Sequence, residues 1–301
     1  MSVVFLADDR VYKLKKPVSF PFLDFSTLAA RERNCLEEVR LNRRLAPQVY
    51  RGAMPLSVTA EGALVLGRGV TVVDWLVAMR RLPDWLMLDR LLARGHVSPH
   101  QLDRLGAVLA RFYHRTGHPR LTAHDHLARI VRQQAENRAV LTAGRWRIDH
   151  GRIASILDRF ERRLDAVRPL LERRVSSGCI VEGHGDLRPE HICMSEPIAI
   201  FDCLEFDRDL RLLDPFEEIA YLGLECTLLG HAEVGAHLGA YLARSLSDPP
   251  PRELTRFYTA FRALLRARLA LAHLLDPVPR DPERWEPLAE SYLALAAAAV
   301  G

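Results

Sequence analysis

The sequence predicts an α+β protein: a small antiparallel sheet with one helix, then a larger, mainly helical part. Three observations lead there. Short runs rich in β-branched and aromatic residues are concentrated before residue 67. After Val70, apolar residues recur at helical spacing. Within the helical part, three short strand-like runs surround two carboxylates, Asp186 and Asp202.

Val3 to Leu6 and Val11 to Leu14 read as strands, with Ala7-Asp8-Asp9-Arg10 as the turn of a hairpin. Pro17 to Asp24, with its prolines and aromatics, is a connection. Ser26 can cap a helix from Thr27 to Arg44, which has an apolar face of Leu28, Cys35, Val39, Leu41 and Leu45 and is stopped by Pro47. Met54 to Val58 and Ala63 to Leu66 form a second strand pair around Glu61-Gly62, and the sheet is expected to end near residue 67. Ser98 caps a segment with Leu102, Leu105, Leu109 and Phe112 at helical spacing. His124 to Leu141 and Arg152 to Val175 are further helices, the latter striped by Ile153, Ile156, Leu157, Phe160, Leu164, Val167 and Leu171. Cys179 to Val181, His191 to Met194 and Ile198 to Phe201 are the short strand-like runs. From Asp214 the chain is helical, with loops at Ser247 to Arg252 and Asp276 to Pro282.

Composition excludes several classes. A net charge of +4 is small for 301 residues, and arginines are balanced by nearby carboxylates, as from Asp158 to Asp165. Solvated helix faces explain this better than a nucleic-acid groove. No uninterrupted apolar stretch approaches the roughly 20 residues that span a bilayer. Met1 to Leu6 lacks a charged leader with a long apolar region. The five cysteines, Cys35, Cys179, Cys193, Cys203 and Cys226, have no regular spacing. A reducing cytoplasm is therefore expected, with neither nucleic acid nor membrane as partner.

Two features point to chemistry. The chain has no lysine beyond Lys13, Lys15 and Lys16, although arginine is common. Ammonium and guanidinium are not interchangeable, so a compact cation is indicated on that strand. The second feature is Glu182-Gly183-His184-Gly185-Asp186-Leu187-Arg188-Pro189-Glu190-His191, followed by Ile200-Phe201-Asp202. Each aspartate follows a strand, and the glycines permit unusual backbone angles and close ligand approach. Carboxylates so spaced suit a base and a magnesium ligand. A zinc set of Cys179, His184, His191 and Cys193 lacks the spacing of structural zinc sites. A phosphate-binding Gly-x-x-x-x-Gly-Lys loop is excluded, because no lysine follows Lys16.

His-Gly-Asp, the histidine five residues later and Ile-Phe-Asp resemble the catalytic segment of the aminoglycoside phosphotransferase and choline kinase-like family. The resemblance extends, toward an uncharacterised bacterial branch, over Val11 to Val18, Phe22 to Leu28, Leu41 to Pro47 and Asp202-Cys203-Leu204-Glu205-Phe206. It implies a bilobal protein-kinase-like fold. Residues 1–71 would be a nucleotide-covering lobe, and residues 72–301 a helical lobe with the catalytic loop and acceptor site. It further implies ATP or another nucleoside triphosphate, Mg2+ or Mn2+, and a small-molecule acceptor carrying a hydroxyl. Asp186 then resembles the catalytic base, with His184 beside it, and Asp202 the metal ligand. Lys13 resembles the phosphate-contacting lysine, with Lys15 on the same strand face as its competitor. Its glutamate partner would be Glu38 or Glu37. Val73, Asp74 and Trp75 fall at the expected interlobe connection, where backbone would meet adenine, although Trp75 also suits core packing. Asp214 is expected to brace the catalytic loop, and Glu205 to form a salt bridge with an arginine.

The sequence departs from the family twice. His191 stands where the family usually has asparagine. As a metal ligand it would offer nitrogen, which suits manganese better than magnesium. The family's first strand and phosphate-covering loop are largely missing, with Ser2 as the remnant. These departures admit an alternative: a pseudokinase, or a nucleotide-binding regulatory module without catalysis.

Overall fold

The computed structural model describes residues 2–20, 23–143 and 146–301. Phe22, part of one stretch quoted above, lies outside them. The chain forms two compact units, Met1–Phe112 with His184–Arg211, and Tyr113–Gly183 with Leu212–Gly301.

The first unit opens on a hairpin of β1 (Ser2–Ala7) and β2 (Arg10–Lys15), paired in register from Ser2 opposite Lys15 to Ala7 opposite Arg10. A minor pair, β3 (Ser19–Phe20) and β4 (Leu23–Asp24), leads to α1 (Leu28–Asn42). Thr27, one residue beyond the expected Ser26, caps α1: its hydroxyl accepts from the Ala30 N–H at 3.2 Å. Then come β5 (Tyr50–Val58), β6 (Leu64–Leu66) and β7 (Thr71–Arg80). The sheet order is β1-β2-β7-β5-β6.

Strand β7 corrects the expectation that the sheet ends near residue 67. It is the middle strand, antiparallel to both β2 and β5. Leu76, Val77, Ala78 and Met79 are all buried. A strand covered on both faces loses the apolar–polar alternation that marks a strand in sequence. α1 packs on the β7 face that carries Val77 and Met79, where Cys35, Val39 and Tyr50 join them in one core. The helices α2 (Leu88–Ala93) and α3 (Pro99–Arg115) follow, and the Ser98 hydroxyl accepts from the Gln101 N–H at the start of α3.

The second unit begins with α4 (Ala123–Leu141) and α5 (His150–Ser176), capped by Thr122 and Asp149. Every residue of the predicted α5 stripe, Ile153 to Leu171, is buried, and Phe160 stacks on Phe257 at 5.1 Å. Strand β8 (Val181–Glu182) precedes the return to the first unit, where β9 (Ile192–Cys193) and β10 (Ala199–Ile200) pair antiparallel. Cys193 and Ala199 enter the core beneath α1. The rest of the second unit is β11 (Leu212–Leu213), paired with β8, then α6 (Pro215–Leu228), α7 (Ala232–Ser245), α8 (Arg252–Ala272) and α9 (Pro282–Val300). Among the described residues no helix is long and apolar enough to cross a membrane.

Candidate active site

Strand alternation sets Lys13 and Lys15 on one face of β2, and α1 brings Glu38 to them. The Glu38 side chain is fully buried, with Oε1 3.0 Å from Lys13 Nζ and Oε2 2.5 Å from Lys15 Nζ. One carboxylate thus holds both ammoniums. Lys13 also lies 2.6 Å from Asp202 Oδ1, while Lys15 meets Glu205. Glu205 therefore pairs with a lysine where an arginine was expected. Glu37 faces another way, 2.6 Å from Arg40 and 3.5 Å from Arg211. Burial alone would depress the Lys13 ammonium, but Glu38 and Asp202 outweigh it and hold its pKa well above the ordinary lysine value. For Asp202 burial works upward, yet the Lys13 ammonium beside it holds the carboxyl well below the usual range.

His184-Gly185-Asp186 and Phe201-Asp202 are tied backbone to side chain. His184 Nε2–H donates to the Phe201 carbonyl at 2.8 Å, and its Nδ1 accepts from the Asp186 N–H at 3.3 Å. Burial, then the nearby His191, pushes the His184 imidazole down to about 4, so it is neutral near pH 7. Gly185 has φ +88, and a Cβ there would meet Arg211 Cγ and Leu204 Cβ at 3.1 Å. Asp202 has φ 60 without being glycine, a conformation that side chains rarely adopt and that clusters at working sites. Its N–H donates to Tyr50 Oη at 3.2 Å, and the next N–H, of Cys203, donates to Asn42 Oδ1 at 2.8 Å.

Arg188, unmarked as a site residue in the sequence, stands beside Asp186. Its Nε is 3.1 Å from Asp186 Oδ1 and its Nη1 is 2.6 Å from Glu190 Oε1. Its Nη2 is 3.1 Å from His191 Nε2. Guanidinium has only donors, so His191 Nε2 accepts, and His191 Nδ1–H donates to the Asp186 carbonyl at 2.8 Å. Arg211, nearly fully buried, is a second residue the sequence did not mark. It donates to the carbonyls of Leu204 at 2.7 Å and Asp207 at 3.1 Å, bracing the segment after Asp202. Both arginines were hidden by the abundance of arginine in the chain.

Val73, Asp74 and Trp75 were expected in a connection. They lie inside β7 instead, with Asp74 opposite Leu56 and Trp75 opposite Pro55. Asp74 is taken up by Arg31 at 2.7 Å, and Trp75 packs against the core. An apolar strip that no sequence spacing marks lies beside the lysines: Val4 stands opposite Lys13 and Leu6 opposite Val11. Directly opposed residues share a face, so Val4, Leu6 and Val11 lie on the lysine side, Val4 53% and Leu6 61% exposed.

A choline kinase from Cryptosporidium parvum Iowa II superposes with a TM-score of 0.57 at 11% identity, over 96% of this chain and 81% of that one. A Plasmodium vivax ethanolamine kinase gives 0.55 at 12% identity, over 96% and 75%. A glucosamine kinase gives 0.51 at 17% identity, over 97% and 73%. The fold is protein-kinase-like. In sequence, uncharacterised proteins of Mycobacterium tuberculosis and Mycobacterium bovis are 36% identical over 276 residues, 89% of this chain and 53% of theirs. The chain thus spans about half the length of the curated relatives it matches. No family model matches it.

The donor set of a site decides which metal fits it. Asp202 offers oxygen, its side chain is 41% exposed, and it is held ionised, which suits a hard divalent cation. His191, expected as a second ligand, has its Nε2 lone pair engaged by Arg188, although Asp202 Oδ2 is only 3.6 Å away. Among the described residues no group of three or more His, Cys, Asp or Glu side chains is gathered to hold a metal. Asp214, expected to brace the catalytic loop, caps α6 by accepting from the Phe216 N–H, and is held by Arg174 at 2.6 Å and Tyr258 at 3.0 Å.

Proposed function

We propose that this chain is an ATP-dependent phosphotransferase acting on a hydroxyl of a small molecule, in the manner of the aminoglycoside phosphotransferases. The observation that carries the reading is the Lys13–Glu38–Asp202 junction, where a buried carboxylate holds an ammonium against a second, ionised carboxylate. Phosphoryl transfer asks the protein mainly for position and charge neutralisation. Lys13 would bind the nucleotide phosphates. Asp186 would accept the proton of the acceptor hydroxyl. Asp202 would hold Mg2+ or Mn2+, which, when bound, neutralises charge on the phosphate oxygens. His184 keeps the two acidic segments in register and transfers no proton, since both ring nitrogens are engaged by backbone. Val4, Leu6 and Val11 offer an apolar surface to the base. The connection after β7, Arg81 to Pro83, takes the role expected of Val73 to Trp75. The nucleotide-covering part is the segment expected at residues 1–71, extended by β7, and the acceptor site falls to the rest of the chain. Choline, ethanolamine and glucosamine kinases on a similar fold support a small-molecule acceptor. Five free thiols suit the cytoplasm.

The test has two stages. Nucleotides with magnesium or manganese should raise the melting temperature, because ligands of the native state stabilise it. Asp186→Asn should then keep that shift while lowering phosphoryl transfer or basal ATP hydrolysis by about 100-fold or more. A protein that no nucleotide stabilises is not a kinase. A second reading, nucleotide binding without transfer, is favoured by the Arg188–Asp186 ion pair. It predicts the thermal shift with no hydrolysis in the wild type.

A further inference from the structure

Kinase centres of this fold commonly bind two divalent cations, one on an aspartate like Asp202 and one shared with a side-chain oxygen on the catalytic loop. Here that loop position is His191, and its surroundings are built for something else. The Nε2 lone pair accepts from Arg188 Nη2 at 3.1 Å. Nδ1–H is spent on the Asp186 carbonyl at 2.8 Å, so the ring cannot turn without losing both bonds. The guanidinium is further fixed by Asp186 at 3.1 Å and Glu190 at 2.6 Å. A guanidinium stays charged at any working pH, so a second cation would meet both a missing ligand and a fixed positive charge.

We propose that the centre works with a single divalent cation, on Asp202, and that the Arg188 guanidinium docked on His191 supplies the positive charge of the second. The proposal rests on the kinase reading and refines it. Arg188 thus becomes a positioning residue: it orients His191 and places its charge beside Asp186.

The experiment counts bound Mn2+ by electron paramagnetic resonance at saturating non-hydrolysable ATP analogue, with analogue affinity measured separately by calorimetry. Wild type and Arg188→Lys should each bind one Mn2+ per analogue. Arg188→Ala with His191→Asn, which removes the guanidinium and restores an oxygen, should bind two. Arg188→Ala alone should weaken the analogue about ten-fold, the scale of a lost charge-assisted contact. Two tightly held Mn2+ in the wild type would overturn the proposal while leaving the kinase reading intact. So would a double variant that stays at one. Failure of the wild type to bind the analogue at all would sink both.

Discussion

Glu38 has no exposed side-chain surface and touches two ammoniums, whereas Glu37, one residue earlier, is 33% exposed and meets Arg40. Successive helix residues point about 100° apart, so the sequence left the two open, and only the way α1 docks separates them. Neutralising Glu38 removes the buried carboxylate shared by both lysines and leaves Lys13 with Asp202 and Lys15 with Glu205. Glu38→Gln should therefore cost about 3–5 kcal/mol of stability by urea denaturation. Glu37→Gln should cost less than about 1 kcal/mol. Equal costs would mean that the buried junction does not form. The lysines were legible in sequence because they are so few. Lys13→Ala should weaken binding of an ATP analogue about ten-fold or more. Lys16→Ala, at an exposed position of opposite strand parity, should change it less than about two-fold. Calorimetric titration of both variants decides; matching affinities would make the cluster a solvated edge.

Elements whose apolar stripe faces one way were readable. α5 runs over His150–Ser176 with its predicted stripe buried, and α3 begins after Ser98. β7 was missed because both of its faces are covered. A helix contact in the second unit was likewise invisible in sequence. Gly223 of α6 and Gly235 of α7 meet so closely that a Cβ on Gly235 would fall 2.7 Å from Gly223 Cα. A Cβ on Gly239, one turn along, meets nothing within 4 Å. Gly235→Ala should therefore destabilise by about 1–3 kcal/mol through overpacking. Gly239→Ala should be neutral or stabilise by up to about 1 kcal/mol from helix propensity. Thermal unfolding of the pair checks this, and a stable Gly235→Ala would mean that α6 and α7 stand further apart.

At the scale of the whole molecule, burial of neutral histidines makes stability depend on pH. His184 lies in the first unit and His126 in the second, and each is pushed down to about 4, first by burial. The unfolded chain titrates near 6.5. Between those values the unfolded state binds protons that the native state refuses, so stability falls as pH falls through that window. Each histidine can remove at most about 3 kcal/mol. His126 stands near a buried Glu217 flanked by Arg129 at 3.3 Å and Arg262 at 2.9 Å. His126→Gln should leave the pH 7 fold intact and flatten the decline between pH 6.5 and 4.5, read by chemical denaturation. A wild type as stable at pH 4.5 as at pH 7 would show that these rings are not buried neutral.

The sequence by itself determined the fold class and most of the helices, and it marked Asp186 and Asp202 as candidate acids. These follow from local signals: apolar periodicity, capping residues, glycines and strand ends beside carboxylates. The tertiary structure decided what local signals cannot carry. It chose Glu38 over Glu37, made residues 71–80 the middle strand of the sheet, and set Val4 and Leu6 beside the lysines. It also brought Arg188 against His191, whose Nε2 accepts from the guanidinium. Each of these depends on which faces meet once strands and helices far apart in the chain are brought together, and no spacing within a single element records that.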